Sequence, residues 1–300
     1  MDPLVVVFGL GVGVLVGLTG IGGGSLMTPL LIIVAGTSPI VAIGTDLAYG
    51  AITKTVGGYR VLKAGHVDMR LSMWLAFGSV PGSLVGVWAV DRLHGRYGDD
   101  FEPALLGAVA VALLLVAFGV LFRALFMPRH IAQERDSAVV EGGRRWATVA
   151  IGAFLGFILG LTSVGSGALI GLALILFFKL TPRRVVGTDV FHAAVLLWTA
   201  GIAHWVGGNV DFALMGTILL GSIPGVVIGT SLLGKVPVDG LRPALGVVLL
   251  AAALGIMTKA GVDIPLAALI GTPIAVGAGV WLLHRSRRDD DPRGEEALAT

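Results

Sequence analysis

Two glycine-rich segments, Thr19-Gly20-Ile21-Gly22-Gly23-Gly24-Ser25 and Thr162-Ser163-Val164-Gly165-Ser166-Gly167, break apolar sequence with hydroxyls and bare backbone. Backbone of this kind inside an apolar medium must be buried in protein or bathed by water. Where it opens a new helix, its free N–H groups carry a partial positive charge that suits an oxyanion. The chemistry on offer is non-covalent recognition of a small anion. The candidate binding set is Thr19, Gly20, Gly22, Gly23, Gly24 and Ser25 from the first segment, with Thr162, Ser163, Gly165, Ser166 and Gly167 from the second. Taken singly, each glycine reads equally well as a place where two helices pack closely.

Four ionisable residues stand in apolar sequence close to these segments: Asp46, Lys54, Asp189 and His192. A carboxylate deep in a bilayer is expensive and normally functional, so Asp46 and Asp189 are candidate proton-coupling groups. Near the start of a helix they read alternatively as caps facing interfacial water. His192 follows Asp189 by three residues, on the same helix face, and is either a proton relay or a packed, hydrogen-bonded ring. Lys54 lies eight residues after Asp46. It can attract an anion or neutralise an aspartate, or it can snorkel toward the interface near Arg60.

The elements that must position these residues come in duplicate. Residues 17–86 return without a gap as residues 160–229, with 23 of 70 positions identical. Gly44-Thr45-Asp46 returns as Gly187-Thr188-Asp189, Val67-Asp68 as Val210-Asp211, and Gly78-Ser79-x-Pro81-Gly82 as Gly221-Ser222-x-Pro224-Gly225. Lys54 has no basic counterpart, because Leu197 stands at its equivalent position. His66, Asp68 and Asp211 fall in short connections, where loop capping is the default role, and Pro81 and Pro224 are expected to set matching kinks within spans.

With 55% hydrophobic and only 13% charged residues, the chain has a composition that excludes an ordinary soluble domain and makes the bilayer its solvent. The absence of cysteine excludes disulfides, thiolate metal sites and cysteine nucleophiles. The run from Leu4 to Val16 has no basic flank and leads into a repeat motif, so it reads as mature structure. The expected fold is an all-α polytopic membrane protein of two inverted-topology repeats. Each repeat opens with a Gly-rich helical hairpin, broken or re-entrant, because the apolar runs flanking the glycines are shorter than the roughly 20 residues of a full span.

The expected divisions are repeat one over 1–122, a cytoplasmic linker over 123–146, repeat two over 147–258, an extra helix over 259–285 and a tail over 286–300. Placing the N-terminus outside and the C-terminus in the cytoplasm puts 17 of the 21 lysines and arginines on the cytoplasmic side. Arg92, Arg96 and Lys259 fall outside, and the connection Asp91 to Glu102 is read as an acidic external loop. Repeat one then changes sides an odd number of times, so repeat two is inverted.

The paired Gly-rich segments, the paired Gly-Thr-Asp motifs, Gly65-His66-Val67-Asp68 with its echo Gly208-Asn209-Val210-Asp211, and the paired Gly-Ser-x-Pro-Gly elements resemble the TauE/SafE sulfite exporter family of bacterial permeases. The resemblance runs from about residue 9 to 257. It implies passage of small sulfur-containing anions such as sulfite or organosulfonates across a bacterial inner membrane. The expected function is a secondary carrier that alternates access around a midplane site, with the bilayer, the anion and coupling protons as partners, no cofactor and no nucleic acid. A cation exchanger built on Asp46 and Asp189 is the alternative. An intramembrane enzyme is a third class, disfavoured by the lack of His-Glu-x-x-His, Gly-x-Ser-x-Gly, cysteine and any nucleophile–base pair at a recognisable spacing, and the lack of a phosphate-loop motif leaves a gradient or a partner as the energy source.

Overall fold

Apolar helices in lipid satisfy all their backbone groups internally, and that requirement sets this architecture. The computed structural model describes residues 3–19, 23–126, 135–138, 140–232 and 241–289. These form helices α1 (Pro3–Thr19), α2 (Gly24–Ile33), α3 (Pro39–Lys63), α4 (Met69–Tyr97), α5 (Glu102–Phe126), α6 (Arg144–Thr162), α7 (Leu169–Leu176), α8 (Pro182–Val206), α9 (Phe212–Ser231), α10 (Leu241–Lys259) and α11 (Leu266–Asp289). An isolated bridge between Arg135 and Leu180 is the only β pairing among the described residues.

Five helical stretches are long and apolar enough to cross a bilayer: Met69–Leu125, Arg144–Thr162, Pro182–Val206, Phe212–Ser231 and Leu266–Leu283. The first joins α4 and α5. What the sequence suggested was an open loop from Asp91 to Glu102 is the last turns of α4 followed by a 3-10 turn at Gly98–Phe101. Gly98 has φ +56°, a left-handed value that ends α4, and the Gly98 amide closes back on the His94 carbonyl. Other boundaries also move: α5 runs on through Phe126, α6 starts at Arg144, and α11 continues past Arg285 to Asp289. Pro81 and Pro224 lie inside α4 and α9. At 10 and 8 residues, α2 and α7 reach only about 15 and 12 Å, roughly half the hydrocarbon thickness.

Packing couples the halves of the chain reciprocally. α1 lies along α9, and α6, which corresponds to α1, lies along α4, which corresponds to α9. The contacts match residue by residue at the offset of 143. A methyl group on Gly13 would sit 2.4 Å from the Ser222 carbonyl oxygen, and one on Gly156 2.1 Å from that of Ser79. Gly78 meets Val149 as Gly221 meets Val6, with the same oxygen only 1.9 and 2.0 Å from the position a methyl would take. Side chains are excluded along both seams, so the two helix pairs approach backbone to backbone, the packing that small residues permit in membranes.

The central helices α3 and α8 pack on each other, and a threonine of each binds the start of a helix in the other half. Thr188 Oγ1 accepts the Asp68 amide at 2.9 Å and Thr45 Oγ1 accepts the Asp211 amide at 3.0 Å. Asp68 and Asp211 act as the expected N-caps, accepting from the amides of Leu71 and Leu214. Asp68 carries one more bond, from the Ala138 amide, which ties the segment between α5 and α6 to the start of α4.

Candidate functional site

Neither aspartate caps a helix. Asp46 and Asp189 each stand one turn or more inside α3 and α8, whose N-cap positions are Ser38 and Thr181, and both are buried. Proline at the first turn starts each helix without a carboxylate. The interior position frees the carboxylates for other contacts.

Asp46 joins the two Gly-rich regions. Its Oδ2 accepts from Thr28 Oγ1 on α2 and, at 2.9 Å, from Ser163 Oγ in the second tip. Gly24, at the start of α2, fits beneath this junction: a methyl there would lie 2.6 Å from the Ser163 carbonyl oxygen and 3.4 Å from Asp46 Oδ2. Ser163 holds φ +59°, a left-handed conformation uncommon outside glycine and costly for a lone residue. Its side chain is thereby turned onto Asp46.

Beside this junction is a cavity of about 50 Å³ lined by Gly23, Gly24, Asp46, Thr53, Lys54 and Ser166, with Val16, Gly50, Leu197 and Val226 closing its apolar walls. Both members of two repeat-related pairs face it, Gly23 with Ser166 and Lys54 with Leu197. The cavity therefore lies on the seam between the halves. Lys54 is buried there, 7% exposed, and its Nζ has no hydrogen-bond partner among the described residues. It does not snorkel to the surface.

The other described candidates do not line the cavity. Thr162 turns into its own helix, donating to the Ile158 carbonyl and accepting the Val164 amide. Gly165 and Gly167 take φ +115° and +108°, so the second tip is a turn and α7 begins only at Leu169. The second tip thus offers no helix start at Gly167. Its Gly167 amide is directed at the Asp189 carboxylate, on which the Lys54 and Arg123 charges also act. Ser25 is buried outside the cavity lining, its Oγ unpartnered among the described residues. His192 does not bond Asp189; its ring lies between Ser79, 3.1 Å from Nε2, and Ser72, 3.4 Å from Nδ1. Its repeat equivalent Tyr49 is directed at Ser222, the equivalent of Ser79, although neither hydroxyl completes a bond of ordinary geometry. Thr19 ends α1, while Gly20 and Gly22 lie outside the described residues.

Thr28, Tyr49, Gly50 and Thr53 are not among the sequence-derived candidates. Thr28 could have been found, since it follows Gly24 by four residues and so shares its helix face. The others carry no local signal.

A helical bundle with apolar crossing segments, joined along glycine seams around a buried polar cavity, defines a multi-pass membrane protein of transporter type. The chain belongs to the TauE/SafE sulfite exporter family, whose model matches residues 5–256. The probable membrane transporter protein YjnA of Bacillus subtilis (strain 168) is 40% identical over 228 residues, which is 76% of this chain and 89% of that one. The probable membrane transporter protein YdhB of the same organism is 28% identical over 78% of this chain and 91% of its own length. A probable membrane transporter protein of Xylella fastidiosa (strain Temecula1 / ATCC 700964) is 28% identical over 73% of this chain and 85% of its own. No solved structure is significantly similar. The protein is a membrane transporter and not an enzyme.

Proposed function

We propose that this transporter is a secondary carrier for small sulfur-containing anions, sulfite or short organosulfonates, and that the cavity on the seam is its substrate site. The two halves are inverted in the membrane, with α1–α2 and α6–α7 as Gly-rich broken or re-entrant hairpins, and they rock about that cavity to alternate access. The observation that carries the reading is the buried, unpartnered Lys54 ammonium on the cavity wall, beside the N-terminus of α2 at Gly23 and Gly24. Although its charge also acts on Asp189, an ammonium whose N–H groups have no acceptor in an apolar bundle is costly unless further oxygens meet it. The family's description names sulfite, which supports the substrate class.

Counterflow of labelled sulfite, sulfoacetate, taurine and thiosulfate into proteoliposomes tests this directly. Saturable exchange of at least one is expected, and absence of all four refutes it. A cation exchanger is the second reading, favoured by the unpartnered Asp46 Oδ1 on the same wall. It requires stabilisation of the purified protein by sodium or a divalent ion and by no oxyanion. Asp189 and Asp46 are the proposed proton-coupling groups, with His192 held in the adjoining hydroxyl network. On that basis Asp189→Asn shifts the pH dependence of flux more than the affinity for substrate.

The orientation is N-terminus outside and C-terminus cytoplasmic, from the distribution of basic residues. Single cysteines at Ser137 and Asp99 are then modified by impermeant reagent from opposite faces, against a background free of native cysteine. Labelling of both from one face overturns the orientation.

A further inference from the structure

Among the buried side-chain atoms with no hydrogen-bond partner in the described residues, two belong to walls of the same cavity: Asp46 Oδ1 and Lys54 Nζ. Opposite charges in so small a space ordinarily pair, because each left alone carries its full desolvation penalty. Here they cannot readily close on one another. They are eight residues apart on one helix, about 12 Å along its axis. The aspartate is also tethered, its Oδ2 taken by the hydroxyls of Thr28 and Ser163. Two donors on one oxygen suit an ionised carboxylate, which only accepts, so Oδ1 calls for a third donor. Lys54 Nζ, with three N–H groups and no acceptor, calls for oxygens.

We propose that the cavity selects a singly charged oxyanion carrying its own hydrogen-bond donor, with the anionic oxygens on Lys54 Nζ and the donor on Asp46 Oδ1. This rests on the sulfur-anion reading above and narrows it. Hydrogen sulfite, a hydroxyalkylsulfonate and a zwitterionic aminoalkylsulfonate share that chemistry; sulfate, the sulfite dianion and a plain alkylsulfonate lack it. Charge counting points the same way. Asp189 lies within range of the Lys54 and Arg123 charges, so the two carboxylates of the region already face two cations and no net positive charge is left to hold a dianion. A dianion would bring two further negative charges into a medium of low dielectric, whereas a donor-bearing monoanion brings one and satisfies Asp46 as well. Size limits the ligand too: about 50 Å³ is room for roughly four water-sized groups, at some 10–15 Å³ each.

The test is ligand-induced thermal stabilisation of the purified full chain, at one pH near neutrality, with methanesulfonate, hydroxymethanesulfonate, aminomethanesulfonate and sulfate. The two donor-bearing sulfonates are expected to bind about tenfold or more tightly than methanesulfonate, the scale of one hydrogen bond to a charged group, and sulfate most weakly. In Asp46→Asn, whose amide can itself donate, methanesulfonate is expected to gain and the ranking to flatten or invert. In Lys54→Gln all the sulfonates weaken together. If Asp46→Asn fails to assemble, the wild-type ranking decides alone. Methanesulfonate or sulfate binding as tightly as the donor-bearing pair, with sulfite counterflow intact, overturns the donor requirement and leaves the carrier reading standing. Absence of binding by every ligand, together with absence of counterflow, overturns both.

Discussion

Asp46 and Asp189 occupy the same position in the two halves, yet their surroundings differ. Asp46 takes two hydroxyl bonds, from Thr28 and Ser163; Asp189 faces the Gly167 amide and the charges of Lys54 and Arg123. The residues equivalent to Thr28 and Ser163 are Gly171 and Gly20, neither of which has a hydroxyl to give. Lys54 is opposed by Leu197 and Tyr49 is matched by His192. Duplication supplies the shared frame, down to reciprocal glycine contacts. The mismatch of Lys54 with Leu197 puts a cation on one wall of the cavity and an apolar side chain at the equivalent place on the other.

The largest effect expected from this contrast comes from two leucines placed in glycine positions. Gly23→Leu fills the cavity wall, where even a methyl would meet the Tyr49 ring at 3.2 Å, so flux falls below detection while the protein stays monodisperse in detergent. Gly165→Leu instead forces a side chain onto a residue at φ +115° and against Leu169, so it reduces the yield of folded protein before any question of flux arises. Equal behaviour of the pair in flux and in size-exclusion profile would break the distinction between cavity wall and hairpin turn.

Charge placement comes next. Lys54→Leu is expected to weaken substrate binding by about ten- to a hundredfold, the loss of a charged hydrogen bond of about 1.5–3 kcal/mol. The double change Lys54→Leu with Leu197→Lys moves the ammonium across the cavity, since both residues line it. Partial recovery of affinity in that double variant would show that the cavity needs a cation on either wall; no recovery would tie the charge to the Asp46 side.

Smaller effects are expected from the hydroxyls. Ser163→Ala and Thr28→Val each remove one donor from Asp46, for about tenfold apiece in flux, and the pair is expected to be non-additive because both bonds end on one oxygen. Thr162→Val is expected to change flux less than about twofold, within the range of a substitution that removes only a local backbone contact. Its hydroxyl is spent on Ile158, four residues back in its own helix. A tenfold loss there would return Thr162 to the cavity.

Much of the frame is legible in residue order. The matched motifs locate α3 against α8 and α4 against α9 as equivalents, and the Thr45 and Thr188 contacts recur at the repeat spacing. Composition alone requires a membrane setting. The helical character of residues 91–101 was obscured by their charge, which reads as a loop when segments are sought by hydropathy. Asp46 and Asp189 were open to reading as caps, because a carboxylate near a helix start looks the same in sequence whether it faces solvent or the neighbouring hairpin.

From its order of residues, then, the chain determines that it is a duplicated helical membrane protein, and where its glycines, carboxylates and one mid-helix lysine fall. Those properties follow from periodicity and transfer energetics, which act locally along the chain. Tertiary structure alone decides that Asp46 bonds Thr28 and Ser163, that Thr162 turns away, that His192 meets Ser79 and that Lys54 faces a cavity beside Leu197. Apart from the turn of Thr162, each of these depends on which helices touch. In lipid that choice is made by backbone approach across glycine seams, a property of two surfaces together that no single segment carries.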